Sequence, residues 1–426
     1  MKKYEANEDS DIEWVSSIPM NWKVIPAKAL WKVRKEPVGD NASPEDLISV
    51  SEYYGVAPRA KKIDSDETLM RAESLDGYQL CYPGDLVMNI MLAWKGAQGI
   101  SAYEGIVSPS YVVYKPICSH DICPRYFHYL LRCDTYKTVF KRWSTGIIDS
   151  RLRLYPEAFL RIPLLLPPKS VQEAIATFLD TKTTEIDSLI VKTERSIKLL
   201  EEYRKSVISG AVTKGLDPDT PMKDSGIDWI GKMPEHWSIS KVKYEFTNHD
   251  SLRRPVEASL RSQDSENLYP YYGASGIVDT IDDYIFDGRR ILIGEDGANL
   301  ALRNLPLVYV AEGKYWVNNH AHVLEPSGSL DFDYAAHQLE LIDLADYITG
   351  SAQPKLSQAN LGRIPVAVPP MEEQRAIVRQ VNSSLCSLVE SINTKRLLTE
   401  RLKEYRESLI YEAVTGKIKI SGADQT

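Results

Sequence analysis

The 426-residue sequence has no run of about 18 apolar residues, which a membrane-spanning helix would need. Its start, MKKYEANEDSDIEW, also lacks the apolar core of a signal peptide. Cysteine is scarce, and an odd number of five thiols in so long a chain argues against a disulfide framework and fits a reducing compartment. We therefore predict a cytoplasmic protein with free cysteines.

Catalytic motifs are missing as well. The sequence contains no GxxxxGK[ST] phosphate loop, no GxGxxG after a strand, and no HExxH or GxSxG. Its double prolines do not follow Asn or Asp, as the NPPY-type motif of an amino-methyltransferase requires, and its acidic residues form no strand-placed nuclease set. We predict that the chain is non-catalytic by itself and holds no cofactor.

No metal site is predicted. Five candidate ligands lie within 16 residues, but without CxxC or HxxxH spacing and along a helix-like stretch: Cys118, His120, Cys123, His128 and Cys133. His320 and His322 alternate like neighbours on a strand, and a structural role is the better interpretation for both.

Cations are outnumbered. The 51 Lys and Arg face 59 Asp and Glu, a formal net charge of -8, whereas phosphate binding needs clustered cations. One stretch reverses this balance, because residues 125–153 contain seven basic residues and only two acidic ones. A basic face can form there while the acidic residues collect elsewhere.

The chain repeats itself. Residues 162–213 align with residues 364–415 at a constant offset of 202, with 17 identities in 52 positions. RIPLLLPP and RIPVAVPP open the two copies, and EYRKSVISGAVT faces EYRESLIYEAVT near their ends. A second alignment, at offset 215, joins DIEWVSSIPMNWKV to GIDWIGKMPEHWSI through a shared W-x4-P-x2-W pattern. The chain is therefore a tandem duplication whose middle parts differ.

The segment after each double proline predicts a long helix, since proline is favourable at a helix start and the apolar residues recur with helical spacing. A helix of about 40 residues is about 60 Å long, and its narrow apolar stripe is typical of a coiled coil. The predicted packing residues, which also face partner subunits, are Ile175, Leu179, Ile186, Ile190, Ile197, Leu200, Ile377, Val381, Leu388, Ile392, Leu402 and Leu409. The alternative is two ordinary amphipathic helices in separate domains.

Connectivity sets the predicted orientation. The turn-rich linker GLDPDTPMKDSG is too short to return along a 60 Å helix, so the second helix runs antiparallel to the first. We predict an α+β fold in which two mixed α/β globules with curved antiparallel sheets are joined by an antiparallel coiled coil in a pseudo-twofold repeat. Each globule is predicted to end with a helix, near residues 124–143 in the first and 332–346 in the second. The predicted ranges are 1–165 and 231–367 for the globules, 166–214 and 368–416 for the helices, 215–230 for the linker and 417–426 for a tail.

Aromatic, glycine-rich and basic segments in both globules suit contact with bases and phosphates. The candidate DNA-binding residues are Tyr53, Tyr54, Trp94, Lys95, Ser108, Tyr111, Arg142, Arg151, Arg153, Tyr272, Ser275, Arg289, Arg290 and Lys355. For any single aromatic, a place in the core remains the alternative. For the loops GSAQPKLS and TGIIDSRLR, the alternative is a plain surface turn.

These features resemble the DNA-specificity subunit of type I restriction-modification enzymes over essentially the entire chain. The resemblance is carried by W-x4-P-x2-W, SPSYVV, YPGDLV, YPYYGASGIVDTI, ILIGEDG and, above all, GSAQPKLSQANLGRIPVAVPPMEEQRAIV. The first half departs from the pattern, because TGIIDSRLRLYPEAFLRIPLLLPP lacks the QPKLS run.

The resemblance implies two target recognition domains, each binding one half of a bipartite sequence in double-stranded DNA, and a coiled coil that sets the gap. It also implies two modification subunits carrying S-adenosylmethionine and restriction subunits that translocate DNA with ATP and Mg. Half-sites about one helical turn apart, roughly 34 Å, fit a two-headed protein. The alternatives are a scaffold with two protein- or glycan-binding globules and a subunit of a methylation-only complex.

Overall fold

The computed structural model describes residues 3–38, 47–59, 76–117, 121–261, 267–350 and 353–420. The chain forms two compact units, the first comprising residues 1–194 and 397–426 and the second comprising residues 195–396. No helix within the described ranges has both the length and the apolar character needed to cross a membrane.

Short strands dominate the globular part of the first unit. The strands are β1 (Asn7–Ile12), β2 (Val15–Pro19), β3 (Lys23–Pro26), β4 (Trp31–Val33), β5 (Ile48–Ser51), β6 (Gly55–Pro58), β7 (Gln79–Cys81), β8 (Leu86–Asn89), β9 (Gln98–Ile100), β10 (Gly105–Val107), β11 (Tyr111–Pro116) and β12 (Pro163–Leu166). The helices are α1 (Pro124–Arg132), α2 (Asp134–Trp143), α3 (Pro156–Phe159) and the start of α4 (Lys169–Lys214).

An antiparallel sheet in the order β4-β11-β8-β9 lies at the centre of the first unit. Three successive residues of β8 are fully buried, which requires cover on both faces of the sheet. Leu86 and Met88 pack into the large core that α1 and α2 share, whereas Val87 packs on the other face with Ile48 and Val50. The predicted antiparallel sheet is confirmed here.

The single helix predicted over residues 124–143 is wrong, because the chain breaks it at Cys133, whose ψ is 152°. A continuous helix would place Asp134 and Thr138 on the buried face that Phe127 and Leu131 begin. The break resets the phase of the apolar residues, and Phe140 becomes fully buried in α2.

The second unit repeats this plan with additions. Its strands are β13 (Met222–Asp224), β14 (Lys232–Pro234), β15 (Ser238–Lys241), β16 (Phe246–Asn248), β17 (Tyr269–Gly273), β18 (Gly276–Ile281), β19 (Phe286–Asp287), β20 (Arg290–Gly294), β21 (Val308–Ala311), β22 (Lys314–Val317), β23 (Ala321–Pro326), β24 (Ile348–Thr349), β25 (Lys355–Leu356) and β26 (Pro365–Val368). Its helices are α5 (Val242–Glu245), α6 (Asn299–Leu302), α7 (Phe332–Leu341), α8 (Gln358–Arg363) and most of α9 (Met371–Val414).

The central sheet of the second unit is β16-β23-β20-β21, again antiparallel. Its strand β20 is buried as β8 is, with Ile291 and Ile293 in the large core and Leu292 in a smaller core on the opposite face. A second sheet, β18-β17-β22-β19, contains a parallel pair, β17 and β22, that the sequence did not predict. The helix predicted over residues 332–346 ends earlier, at Leu341.

The two long helices α4 and α9 begin directly after the double prolines, as predicted. Within the first unit they run antiparallel, because Arg406 Nε lies 2.8 Å from Asp187 Oδ1 and Lys403 Nζ lies 3.2 Å from Glu194 Oε1. Most predicted packing residues are buried, and those that are half-buried are Ile197, Leu200, Leu388 and Leu402. The predicted fold class is confirmed.

The repeated sequence around each double proline has a repeated structural role. RIPLLLPP supplies β12, which pairs with β3, and RIPVAVPP supplies β26, which pairs with β15. Buried Gln172 then donates to Pro167 O and Asp121 O and accepts from Cys123 N. Its counterpart in the second unit, Gln374, makes the same three kinds of bond. Each glutamine therefore fastens the start of a long helix to its own globule.

The ends of the helices are also held in equivalent ways. Gly416, just beyond α9, has a left-handed φ of 73° and lies in the first unit, where a Cβ atom would be 3.3 Å from Trp22. Gly215, just beyond α4, has a φ of 75° and lies in the second unit, where a Cβ atom would be 3.4 Å from Trp237. Each compact unit thus contains the start of one long helix and the end of the other. The domain ranges given above, drawn as continuous stretches of sequence, stay a prediction.

Candidate nucleic-acid interface

The hairpin of β5 and β6 presents Tyr53 at its turn, where the side chain is 85% exposed. The side chain of Arg132, on α1, is hydrogen-bonded to the backbone of this turn. Its guanidinium donates to the backbone oxygens of Ser51 at 3.2 Å, Glu52 at 2.7 Å and Tyr53 at 3.1 Å. Burial lowers the pKa of Arg132, and the charge of Arg406 lowers it further. The exposed tyrosine is therefore presented on a braced turn.

A tryptophan and two lysines form a second feature of this unit. Trp94 follows β8 and donates from Nε1 to Met91 O at 3.1 Å. Lys95 Nζ lies 5.3 Å and Lys141 Nζ lies 4.9 Å from the centroid of its ring, both within the range of a cation–π contact. The assembly gathers two positive charges around one aromatic ring.

The loop over residues 144–153, between α2 and α3, is closed at its base by two backbone hydrogen bonds. Thr145 N donates to Arg153 O at 2.9 Å, and Arg153 N donates to Thr145 O at 3.0 Å. Lys141 of α2 pairs with Asp149 at 2.8 Å, which ties the far side of the loop to the helix. Arg151 is exposed at the end of the turn. The loop is thus a defined structure that carries a cation.

Most cations of the basic stretch 125–153 are already paired. The pairs are Arg125 with Asp180, Lys137 with Asp134, Lys141 with Asp149, and Arg142 with Glu13. Arg151 and Arg153 have no ion pair among the residues that the structure describes, and Arg153 Nη1 is buried without a hydrogen-bond partner there. The cations still available to an anionic ligand are therefore concentrated in the loop.

Three other candidates in the first unit serve its own structure. Tyr54 donates from its hydroxyl to Ser49 Oγ at 3.1 Å. Ser108 forms a turn, since its carbonyl oxygen accepts from Tyr111 N at 2.9 Å. Tyr111 packs on the smaller core, and burial raises the pKa of its hydroxyl.

Ion pairs also engage the basic candidates of the second unit. Arg289 Nη2 lies 2.6 Å from Asp333 Oδ1, and its guanidinium covers the ring of Phe332. Arg290 Nη2 lies 3.1 Å from Glu325 Oε2. A DNA phosphate would have to compete with these carboxylates.

The aromatic segment of the second unit divides between core and surface. Tyr272 packs edge-on against Tyr315 with 5.6 Å between ring centroids, and burial raises its pKa. Ser275 is exposed in the turn between β17 and β18. The next residue, Gly276, has a left-handed φ of 99°, which a glycine adopts without strain.

Lys355, the cation of the QPKLS run, rests on a buried ionic cluster. Its Nζ lies 3.1 Å from Glu295 Oε1, and Glu295 Oε2 accepts from Arg253 Nη1 at 2.5 Å. His322 is buried, with Nδ1 2.5 Å from Asp250 Oδ2 and Nε2 2.8 Å from Leu356 O.

The carboxylates of this cluster, Asp250 and Glu295, are balanced by the positive charges of Arg253 and Lys355. Burial would raise the pKa of Glu295, but Arg253 and Lys355 together hold it below its usual value. Asp250, Glu295 and His322 bring ligand atoms within 4.8 Å of one another. A guanidinium already occupies the space beside Glu295, and it would repel a cation, so the arrangement fits an ion-pair network that fixes the strand of Lys355.

The sequence missed this network, although its members were visible. The alternation of His320 and His322 predicted a structural role, and for His322 the burial and the hydrogen bonds agree. Its partners lie far from His322 in the sequence. Asp250 and Arg253 belong to one segment and Glu295 to another, and no spacing rule joins these segments.

The cysteine and histidine cluster considered as a metal site is only partly described, because Cys118 and His120 lie outside the described residues. Cys123 and Cys133 are buried, and burial raises the pKa of Cys133 to about 11. A protonated, buried thiol is a poor ligand and a poor nucleophile.

Comparison with known proteins matches part of the chain to one family. Residues 244–405 match the family model described as the type I restriction modification DNA specificity domain. The chain contains a type I DNA specificity domain. The resemblance predicted from the sequence is thereby confirmed, and the matched region is the one that carries QPKLS.

Curated relatives agree with this family. A Haemophilus influenzae chain, named among type I restriction enzyme specificity subunits, is 37% identical over 130 residues, which are 30% of this chain and 32% of that one. The chain thus matches about a third of that relative's length. The MjaVIII specificity subunit of Methanocaldococcus jannaschii is 23% identical over 365 residues, covering 78% of this chain and 79% of its own.

Solved structures share the fold. A chain from a study of assembly and conformational transition in a type I restriction-modification system covers 94% of this chain and 99% of itself, with a TM-score of 0.68 at 12% identity. The HsdS subunit of Thermoanaerobacter tengcongensis covers 94% and 98%, with a TM-score of 0.50 at 13% identity. At such identities the likeness concerns the fold alone.

Proposed function

We propose that this chain is the DNA-recognition subunit of a type I restriction-modification system, in which each compact unit binds one half of a bipartite sequence. The observation that carries the proposal is that the two compact units share one structural frame but carry different surface elements. Both units place a four-stranded antiparallel sheet, with one buried strand, against a core shared with the ends of the long helices.

The surfaces built on that frame differ. The first unit presents the braced β5–β6 hairpin, the Trp94 assembly and the loop over residues 144–153. The second unit instead carries the β18-β17-β22-β19 sheet and the network beneath Lys355. Because base recognition depends on which side chains reach the groove, two different surfaces imply two different half-sites.

The long helices suit the docking of partner subunits. Tyr203 of α4 and Tyr405 of α9 occupy equivalent repeat positions, and both are exposed large apolar side chains. Tyrosine is enriched at protein–protein interfaces, so an exposed tyrosine repeated at the same position of both helices is a candidate partner contact. One modification subunit would bind at each of these two tyrosines. The modification subunits would carry S-adenosylmethionine, and the restriction subunits would carry ATP and Mg.

The decisive experiment maps methylated adenines in a host that carries this chain with its modification partner, with and without the chain. We expect a bipartite motif that depends on the chain. In a second arm, residues 231–367 are replaced by the corresponding region of a relative. One half of the motif should change while the other half and the gap stay. A motif that changes in both halves, or no motif, would contradict the proposal.

Binding in solution gives an independent check. Phosphate contacts release counterions, so the affinity of the complex for a duplex with the mapped motif should fall steeply between about 50 and 200 mM salt. The matched control is the same duplex with both half-sites scrambled, which should bind more weakly at every salt concentration. An affinity that does not respond to salt would count against DNA as the ligand.

A further inference from the structure

We propose that the tip of the loop over residues 144–153, Ile147 and Ile148, inserts between base pairs of the bound duplex. The inference rests on the proposed DNA-recognition function and goes beyond it, because it assigns an apolar contact that distorts the DNA. The starting observation is exposure, since Ile147 is 100% exposed and Ile148 is 53% exposed. A single exposed isoleucine needs no explanation, so the argument depends on what surrounds the tip.

The loop has a fixed shape. Its base is closed by the two backbone bonds between Thr145 and Arg153, and Leu154 N donates to Ile90 O at 2.9 Å just beyond it. At Gly146 the chain passes so close to itself that a Cβ atom would lie 2.7 Å from Arg151 O. A loop closed in this way presents the two isoleucines at a defined position.

The surroundings of the tip are cationic. Arg151 is exposed and free of ion pairs among the described residues, and the single carboxylate of the loop, Asp149, is neutralised by Lys141. Lys95 and Lys141 both lie over the ring of Trp94, and Lys141 belongs to the helix that precedes the loop. An apolar tip with an unpaired arginine at its rim matches the edge of a DNA groove, where phosphates flank stacked bases.

Apolar side chains such as isoleucine unstack a base step when they enter the minor groove, and the duplex kinks by about 20–90°. Phosphate contacts from the rim would repay part of the cost of unstacking. The combination of an exposed, rigidly held isoleucine and adjacent cations therefore favours duplex DNA as the occupant over a protein surface.

The test uses the complex of the full chain with its modification partner and a duplex that contains the mapped motif. Affinity is measured by fluorescence anisotropy, and bending is measured by energy transfer between dyes at the duplex ends. The variants are Ile147→Ala, which removes the inserted side chain, Ile147→Phe, which keeps an apolar one, and Arg151→Ala, which removes a phosphate contact. Ile117→Ala is the matched control, because Ile117 lies in the same unit and is 48% exposed.

We expect Ile147→Ala to bind about tenfold more weakly and to lose most of the bend, because an isoleucine side chain leaves its buried position. Ile147→Phe should keep the bend, and Ile117→Ala should behave like the wild type. Arg151→Ala should weaken binding and reduce the salt slope by about one while the bend remains. Folding is not at issue, because a fully exposed side chain contributes no core.

Two results overturn the inference. If Ile147→Ala binds and bends the duplex as the wild type does, the tip does not insert. If it instead loses the modification subunit while binding of the duplex is unchanged, the tip is a protein contact. If the wild-type complex itself fails to bind the motif, the proposed function falls, and this outcome is distinct from the other two.

Discussion

The two equivalent glutamines allow a quantitative test of how the long helices are fastened. Gln374→Ala would leave three partners unpaired: Pro369 O in the interior, and Ser329 O and Asp331 N near the surface. A buried unpaired group costs about 1–3 kcal/mol, and a lost bond near the surface costs about 1 kcal/mol. The expected loss in free energy of unfolding is therefore about 3–5 kcal/mol.

Gln172→Ala should cost at least as much. Two of its three partners, Pro167 O and Cys123 N, are buried, and only Asp121 O is partly exposed. The same arithmetic gives about 3–7 kcal/mol. Gln380→Ala is the control for α9, because Gln380 is exposed on the same helix. Since alanine is the better helix former, this change should alter the free energy of unfolding by only a few tenths of a kcal/mol, towards greater stability.

The assay is urea unfolding followed by fluorescence, with hydrogen exchange to assign each transition to a unit. With a slope of about 3 kcal/mol per molar urea, Gln374→Ala should lower the urea midpoint of the second unit by about 1–2 M. Gln172→Ala should lower the midpoint of the first unit by at least as much. The reasoning fails if Gln374→Ala is indistinguishable from Gln380→Ala.

Two further predictions concern the first unit. Burial and the neighbouring charge of Arg132 lower the pKa of His128 to about 4. Between about pH 6.5 and 4, the unfolded chain therefore binds a proton at this histidine that the folded unit does not bind. The free energy of unfolding should therefore fall as the pH drops from about 6.5 towards 4, and His128→Asn should reduce this pH dependence. The same pH dependence in the variant would refute this. Gly416→Ala should destabilise the unit by at least about 2 kcal/mol in thermal unfolding, since φ is 73° and the new Cβ would lie 2.5 Å from Pro19 Cδ. Gly84→Ala is the control, because φ is 93° there but no atom lies within 4 Å of the new Cβ. It should show only the smaller backbone penalty.

The repeat is the part of the fold that the sequence predicted well. A constant offset, a double proline and helical spacing are local signals, and the structure places β12, β26, α4 and α9 where those signals fall. The break at Cys133 was missed because its cause is not local. The two halves of residues 124–143 bury different faces in a core that is defined by distant strands.

The candidate interface stays a prediction, but the structure shows which of its cations already have partners. Arg142, Arg289 and Arg290 each have a carboxylate partner from elsewhere in the chain. Arg132, by contrast, acts through backbone carbonyl oxygens of the hairpin turn, and a carbonyl oxygen leaves no trace in residue type. Charge counting along a sequence therefore overstates the cations that remain available for DNA.

The structural role of Tyr126 and Tyr334 explains why the two repeats must be retained together. Tyr126 donates to Val414 O at 3.2 Å in the first unit, and Tyr334 donates to Val212 O at 3.0 Å in the second. Each hydroxyl thus satisfies a carbonyl at the end of the helix that begins in the other unit. The last carbonyls of a helix lack partners within the helix, and a buried one that is unpaired costs about 1–3 kcal/mol. A change that shortened one long helix would remove its end carbonyl from the tyrosine that binds it. Helix length is therefore constrained in both copies, while the surfaces of the globules are free to differ.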